Sequence, residues 1–234
     1  MNRNVPNLQP SLHIGLLTCD LNHTHGWAHY SLSLLLALRR AGLRVTVLAA
    51  RNSPDVPGVT VHKLLPALVP AERYVLPKLA RALPQARALL QDCDVLHVAV
   101  EPYAPLGMWL AGGRPLVMTA HGSYVQMLPA RRWPVGWRYQ QAFRRARLVC
   151  VSRYTAKVAQ AALPGITPVV VNNGVDVTRF AHLPALDTPL ERPTVLSVGA
   201  VKPRKGTLEL VRAMAVVRQR HRRSAHDRRR NSDH

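Results

Sequence analysis

Short apolar runs alternate along the chain with longer segments whose apolar residues recur every three to four positions. The runs Leu12–Thr18, Leu43–Ala49, Val59–Leu65, Asp94–Val100, Pro115–Ala120, Leu148–Ser152 and Thr167–Val171 read as strands. Trp27–Ala41 places Trp27, Tyr30, Leu34, Leu35, Leu38 and Ala41 on one helical face. Arg39 and Arg40 fall in its last turn and Gly42 marks its end, as helix C-termini prefer. Further helices are predicted over Pro77–Gln91, Tyr103–Ala111, Pro134–Ala146 and Tyr154–Leu163, and Pro84 is expected to kink or split the first of these.

Strands and helices in alternation predict an α/β fold, a parallel sheet with helices on both faces. Val95–Val100 and Leu148–Val151 are apolar without alternation, as strands buried on both faces should be. Residues 1–185 therefore read as one Rossmann-like domain. Ligands in such folds bind beyond the carboxyl ends of the strands, which selects the loops after Thr18, Val100, Ala120, Ser152 and Val171. A proline-bearing linker is expected at 186–193, after which the pattern restarts. Thr194–Val198 reads as a strand, Gly199–Gly206 as a loop and Thr207–Arg218 as a helix. Residues 194–218 are thus one strand–loop–helix of an incomplete second Rossmann-like domain, too small to close a core alone. Residues 219–234 are expected to be a disordered basic tail, since Ala225 is the one apolar residue after His221.

Composition narrows the function classes modestly. The 234 residues carry no apolar run near the ~20 residues that a spanning helix needs. Met1–Pro10 is polar and lacks a signal-peptide core, so a cytoplasmic location is expected. The formal net charge of +20 would suit anionic lipid at the inner face of the membrane, nucleic acid or phosphorylated substrates. Five of the 32 basic residues are lysines, leaving 27 arginines scattered over the predicted helices, with seven between Arg218 and Arg230. No nucleic-acid reading motif accompanies them, so no specific nucleic-acid partner is expected. Cys19, Cys93 and Cys150 show no metal-ligand spacing and read as buried free thiols of a reducing compartment.

Four features fall where a ligand should sit. His25-Gly26 opens the Trp27 helix; a glycine there lets a phosphate or sugar approach the backbone, or it simply makes a turn. His121-Gly122 follows a strand, and the histidine either faces the cleft as a base or sugar contact or bonds a loop carbonyl. Asn172-Asn173-Gly174-Val175-Asp176 makes a tight turn, with the aspartate able to cap a short helical turn running to Phe180. Lys202, Arg204 and Lys205 sit in a loop leading into a helix, either a diphosphate site or a solvated basic loop.

Taken in order, these features resemble glycosyltransferase family 4, whose fold is two facing Rossmann-like domains (GT-B). Asn173-Gly174-Val175-Asp176 with Phe180 is similar to that family's inter-domain segment. Ser197-Val198-Gly199, Lys205-Gly206 and Leu210-Val211-Arg212-Ala213 are similar to the opening of its donor domain, and His121-Gly122 and Val151-Ser152 to parts of its acceptor domain. The resemblance implies metal-independent transfer of a sugar from a nucleoside-diphosphate-sugar donor to a glycan or lipid-linked acceptor, without a cofactor. It implies that His121 lies near the reacting sugar, as the catalytic candidate. Lys205, with Arg204, Lys202 and Gly26, would serve the donor diphosphate. His25, Gly122, Asn173 and Asp176 would line the cleft or the acceptor side. Two departures stand out. Ala200 occupies a position where the family usually has arginine, and the family's two glutamates separated by seven residues are absent: the acidic residues after Glu209 are Asp227 and Asp233. The expectation is a truncated or frame-shifted chain with impaired transfer. The alternative is a non-catalytic fragment that binds an acceptor or an anionic membrane.

Overall fold

The computed structural model describes residues 12–130, 133–181, 194–199, 201 and 203–232, with side chains throughout except at 179, 180, 204 and 221–232. Two compact units divide between Val175 and Asp176.

In the first unit seven parallel strands form one sheet in the order β3-β2-β1-β4-β5-β6-β7. They are β1 (His13–Leu17), β2 (Arg44–Ala50), β3 (Val61–Leu65), β4 (Val95–Val98), β5 (Leu116–Ala120), β6 (Arg147–Cys150) and β7 (Val169–Val170). The chain winds outward from β1 in one direction and then, from β4, in the other. β1 and β4 are therefore the topological switch point, where the fold leaves a crevice for ligands. Side-chain parity builds the two layers. Leu16, Val47, Ala49 and Ala99 face a cluster with Leu32 and Leu35 of helix α1 (Gly26–Arg40). Their neighbours Leu17, Leu48 and Val98 face the larger cluster. That cluster is completed by α2 (Val75–Leu89), α3 (Ala104–Ala111), α5 (Val135–Arg145) and α6 (Arg153–Ala162).

Local chemistry sets the helix ends. Gly42 at φ 77° donates its N–H to Arg39 O at 2.9 Å, and Leu43 donates to Leu38 O at 3.2 Å, closing a Schellman motif on α1. Gly42 stops α1 as the pattern predicts. The helix over Pro84 is not split: α2 is continuous through it, with Leu79, Ala82 and Ala86 buried against the sheet. Packing of that face outweighs the lost N–H. A short helix absent from the sequence reading, α4 (Ser123–Met127), follows His121-Gly122 and leads into a 3-10 turn at Leu128–Ala130. The thiols of Cys19, Cys93 and Cys150 are free and buried.

The second unit holds α7 (Thr178–Ala181), a 3-10 turn at Pro203–Lys205 and α8 (Thr207–Ser232). The strand expected at Thr194–Val198 does not form; Leu196 and Val198 are 83% and 85% exposed. A parallel strand is held by neighbours on its edges, and none is present among the described residues. The backbone also differs from the expected tail, because α8 continues past residue 218 to Ser232. Arginine, alanine and glutamine are good helix formers, so this stretch keeps helical backbone without a core. The linker at 186–193 lies outside the described residues.

Candidate functional site

Three loops converge at the switch point. The first leaves β1 and enters α1. Asp20, 2% exposed, receives Nε2–H of His25 at 3.0 Å and Nδ2–H of Asn22 at 2.7 Å. His25 Nδ1 accepts the Ala28 N–H at 3.3 Å, so the imidazole is the N-cap of α1 and Asp20 holds its tautomer. Both ring nitrogens are thereby engaged. Gly26 follows at the first helical position, and a Cβ built there meets nothing within 4 Å. The backbone at the N-terminus of α1 is open, an approach suited to an anion.

Cys19, Asp20 and His25 bring their ligand atoms within 4.8 Å of one another. As arranged they do not point free lone pairs at a common centre. Burial, foremost, pushes the Cys19 thiol up to about 12, keeping it protonated, and the His25 nitrogens are spent on Ala28 and Asp20.

The second loop leaves β4 and carries Glu101, which is fully buried. Its Oε1 accepts the Gly122 N–H at 3.1 Å. Burial raises its carboxyl to about 7, while backbone N–H groups of Gly122, His121, Val125 and Tyr124 pull in the opposite direction. Glu101 thus stands in for an N-cap on α4, whose cap position, Gly122, has no side chain to offer. Gly122 sits at φ 111°, and a Cβ there would meet Thr155 Oγ1 at 3.4 Å in ordinary contact, so it is the backbone that favours glycine.

The third loop leaves β5 and carries His121. Its Nε2–H donates to Ala99 O at 2.9 Å, leaving Nδ1 as the acceptor of the neutral ring. Burial lowers its pKa, so the neutral form prevails near pH 7. The ring stands edge-on to Tyr30 at 4.7 Å and near Trp27 at 6.5 Å. Beneath it, Thr119 Oγ1 links Tyr30 Oη at 3.0 Å with His97 Nε2 at 2.9 Å. His97, on β4, is held neutral by burial, its pKa lowered to about 4.

His25, Gly26, His121 and Gly122 therefore lie around one crevice, at the ends of neighbouring strands. Asp20, Glu101, Trp27, Tyr30 and His97 complete it and were not singled out in the sequence. Glu101 had a usable signal, because it directly follows Val100, a strand end the switch-point rule selects. Asn173 is exposed beyond β7, beside Asn172, whose Nδ2–H donates to Val151 O at 3.3 Å. Ser152 caps α6 by accepting the Thr155 N–H at 3.0 Å.

The remaining candidates belong to the second unit. Asp176 Oδ1 accepts from Thr178 N–H at 3.1 Å and Thr178 Oγ1–H at 2.6 Å, a cap on α7. Lys205 is exposed at the end of its 3-10 turn, and a Cβ at Gly199 would meet its Cε at 4.0 Å. Lys202 lies outside the described residues, as do the side chains of Arg204 and Phe180.

Comparison with curated proteins finds no match. Among solved structures, an alpha-glucosyltransferase in complex with UDP and a 13-mer DNA aligns with TM-score 0.46 and 16% identity, covering 72% of this chain and 44% of that one. Anabaena Alr3699/HepE in complex with UDP and glucose aligns with TM-score 0.41 and 16% identity, over 70% and 45%. Glycyrrhiza uralensis UGT73P12 complexed with glycyrrhetinic acid 3-O-monoglucuronide aligns with TM-score 0.39 and 13% identity, over 70% and 49%. This chain thus spans less than half the length of each. The family model described as Glycosyltransferase Family 4 matches residues 20–179, from Asp20 through the β1, β4 and β5 loops to the Asp176 cap, and the chain belongs to that family.

Proposed function

We propose that the chain is the acceptor-side part of a glycosyltransferase that moves a sugar from a nucleoside-diphosphate-sugar donor to a glycan or lipid-linked acceptor, without metal or cofactor. The observation that carries this is family membership over residues 20–179, which include the three loops that meet at the switch point. The open backbone at Gly26 suits an anionic diphosphate, and the Nδ1 lone pair of His121 suits a sugar hydroxyl as hydrogen-bond donor. Lys205, with Arg204 and Lys202, would neutralise the leaving diphosphate. Glu101 and Asp20 act through others: one fixes the His121-Gly122 turn and the other fixes His25 at the start of α1.

A second reading, an acceptor-binding module without turnover, is favoured by one observation. The sheet, the described core and the three loops of the candidate site all belong to the first unit, which is built to bind without calling on the second.

Nuclear magnetic resonance of the His121 ring separates binding from turnover. Titration with UDP-, GDP-, ADP- and TDP-sugars should shift that resonance for at least one donor. Gly26→Ala should weaken the response about tenfold, by closing the approach, while leaving the fold intact or slightly stabilised, since alanine suits a helix better than glycine by ~0.5–1 kcal/mol. A His121 resonance unmoved by every donor at millimolar concentration would sink the donor-binding reading. Donor binding without release of nucleoside diphosphate would select the module.

A further inference from the structure

A cavity of about 650 Å³ opens in the first unit between α2, α3, α4 and α5, within the size range of small-molecule sites. Its walls are apolar and aromatic, including Tyr74, Pro77, Trp109, Tyr124 and Tyr139, and Arg138 is the one charged side chain among the described lining residues. Arg138 spends one N–H on Pro134 O at 3.4 Å, and among the described residues no carboxylate pairs with it. The groove therefore offers an apolar chain a dry wall, and offers an anion an unneutralised guanidinium.

Exposed aromatic rings neighbour its lining residues along the chain. Trp133 is 81% exposed and Trp137 51%, one on each side of the lining residues Pro134 and Val135 along the chain. Tyr74 is 72% exposed, is the one described non-glycine residue at positive φ (57°), and lies 5.6 Å under the Arg73 guanidinium. Large amphipathic rings with arginines beside them suit a boundary between lipid and water. An outlier backbone at a cleft is a reason to look for a ligand there.

The groove also adjoins the site already described. Tyr124 forms part of its wall and stands 6.3 Å from Trp27, which stands 6.5 Å from His121. We infer that the groove holds the apolar chain of a single-chain lipid phosphate, with Arg138 on the phosphate and the head group toward the switch point. This rests on the acceptor-side reading above and names the acceptor's chemical class.

Farnesyl phosphate, kept below its micelle-forming concentration, is the probe. Added to the 234-residue chain, it should bind saturably, followed by tryptophan fluorescence and calorimetry. Farnesol and inorganic phosphate should each bind at least about tenfold more weakly, because each meets half of the site. Arg138→Gln should weaken farnesyl phosphate about tenfold and leave farnesol unchanged. Ala80→Trp, which fills the groove, should weaken both. If that variant loses its cooperative unfolding, Tyr74→Ala at the exposed mouth replaces it and should weaken both as well. Equal affinity for farnesol and farnesyl phosphate would overturn the inference, as would indifference to these substitutions. Binding to anionic phosphatidylglycerol vesicles without binding to monomeric farnesyl phosphate would also overturn it, in favour of a surface contact. Lipid-phosphate binding with no response to any nucleotide sugar leaves the groove standing and removes the transferase reading. Donor binding with no lipid-phosphate binding does the reverse.

Discussion

At the scale of single residues, Glu101 concentrates the physics of the site. A carboxyl group is buried with no cation paired to it among the described residues; its Oε1 accepts the Gly122 N–H at the start of α4, and its Oε2 has no hydrogen-bond partner. Its pKa rises from 4.5 to about 7 on folding, so the folded state binds the proton more tightly. Its contribution to stability is then fully present below about pH 4.5 and is lost as pH rises through 7. His97 runs the other way. Its pKa falls from 6.5 to about 4, so the unfolded state binds the proton more tightly and stability is lost as pH falls through that window. The two oppose each other in the native protein. Glu101→Gln keeps the acceptor for Gly122 and removes one of the two titrations. Relative to the native protein, the variant should gain stability steadily from pH 4.5 to pH 7, by an amount on the order of a few kcal/mol. Denaturant midpoints across that range would show it, and a difference independent of pH would contradict the assignment. Little of this was readable beforehand. His121 and Gly122 stand out as a strand-end motif, but their support comes from Glu101, about twenty positions earlier, and only the parallel β4–β5 pairing brings them together. Asp20 was hidden in the same way: it is an ordinary loop aspartate until the turn through Asn22 folds His25 back onto it.

At the scale of elements, periodicity was a good guide wherever burial enforces it. The seven strands of the first unit and its long helices sit near their expected positions, because the central strands are buried between helices and each long helix buries one face. α4 was missed because five residues are too few for a helical period, and its start is set by a distant carboxylate rather than a local cap. Thr194–Val198 was misread because an apolar run signals a strand only where a sheet exists to receive it. Pro84 marks the opposite competition, in which tertiary packing carries a helix through a residue that disfavours it. Pro84 is exposed, so its ring contributes nothing to the core, while its missing N–H leaves the preceding turn of α2 short of one bond. Pro84→Ala should restore that bond. The greater freedom of alanine in the unfolded chain offsets part of the gain, leaving a net stabilisation of about 1 kcal/mol, measurable as a raised thermal midpoint. A lowered midpoint would mean that the proline shapes α2 for its contact with α3.

At the scale of the whole molecule, every residue in the described core lies between His13 and Leu163. The second unit contributes none of them, and it carries Leu196, Val198 and Val201 at 83–85% exposure and Val211 at 62%. Apolar side chains left in water gain from contact with any other apolar surface, so this unit adds a tendency to associate without adding stability. A chain ended after Val175 tests both halves of that statement. It keeps all seven strands and the three loops of the candidate site. Its unfolding should stay cooperative, with a midpoint within about 0.5 kcal/mol of the longer chain, as expected where no buried contact is removed. Light scattering should show concentration-dependent association of the 234-residue chain and a monomer for the shortened one. A drop of several kcal/mol on shortening would mean that residues beyond Val175 complete the core of the first unit. In that case the domain carrying His121 would not be an independent body, and its ligand affinities would have to be measured only in the longer chain.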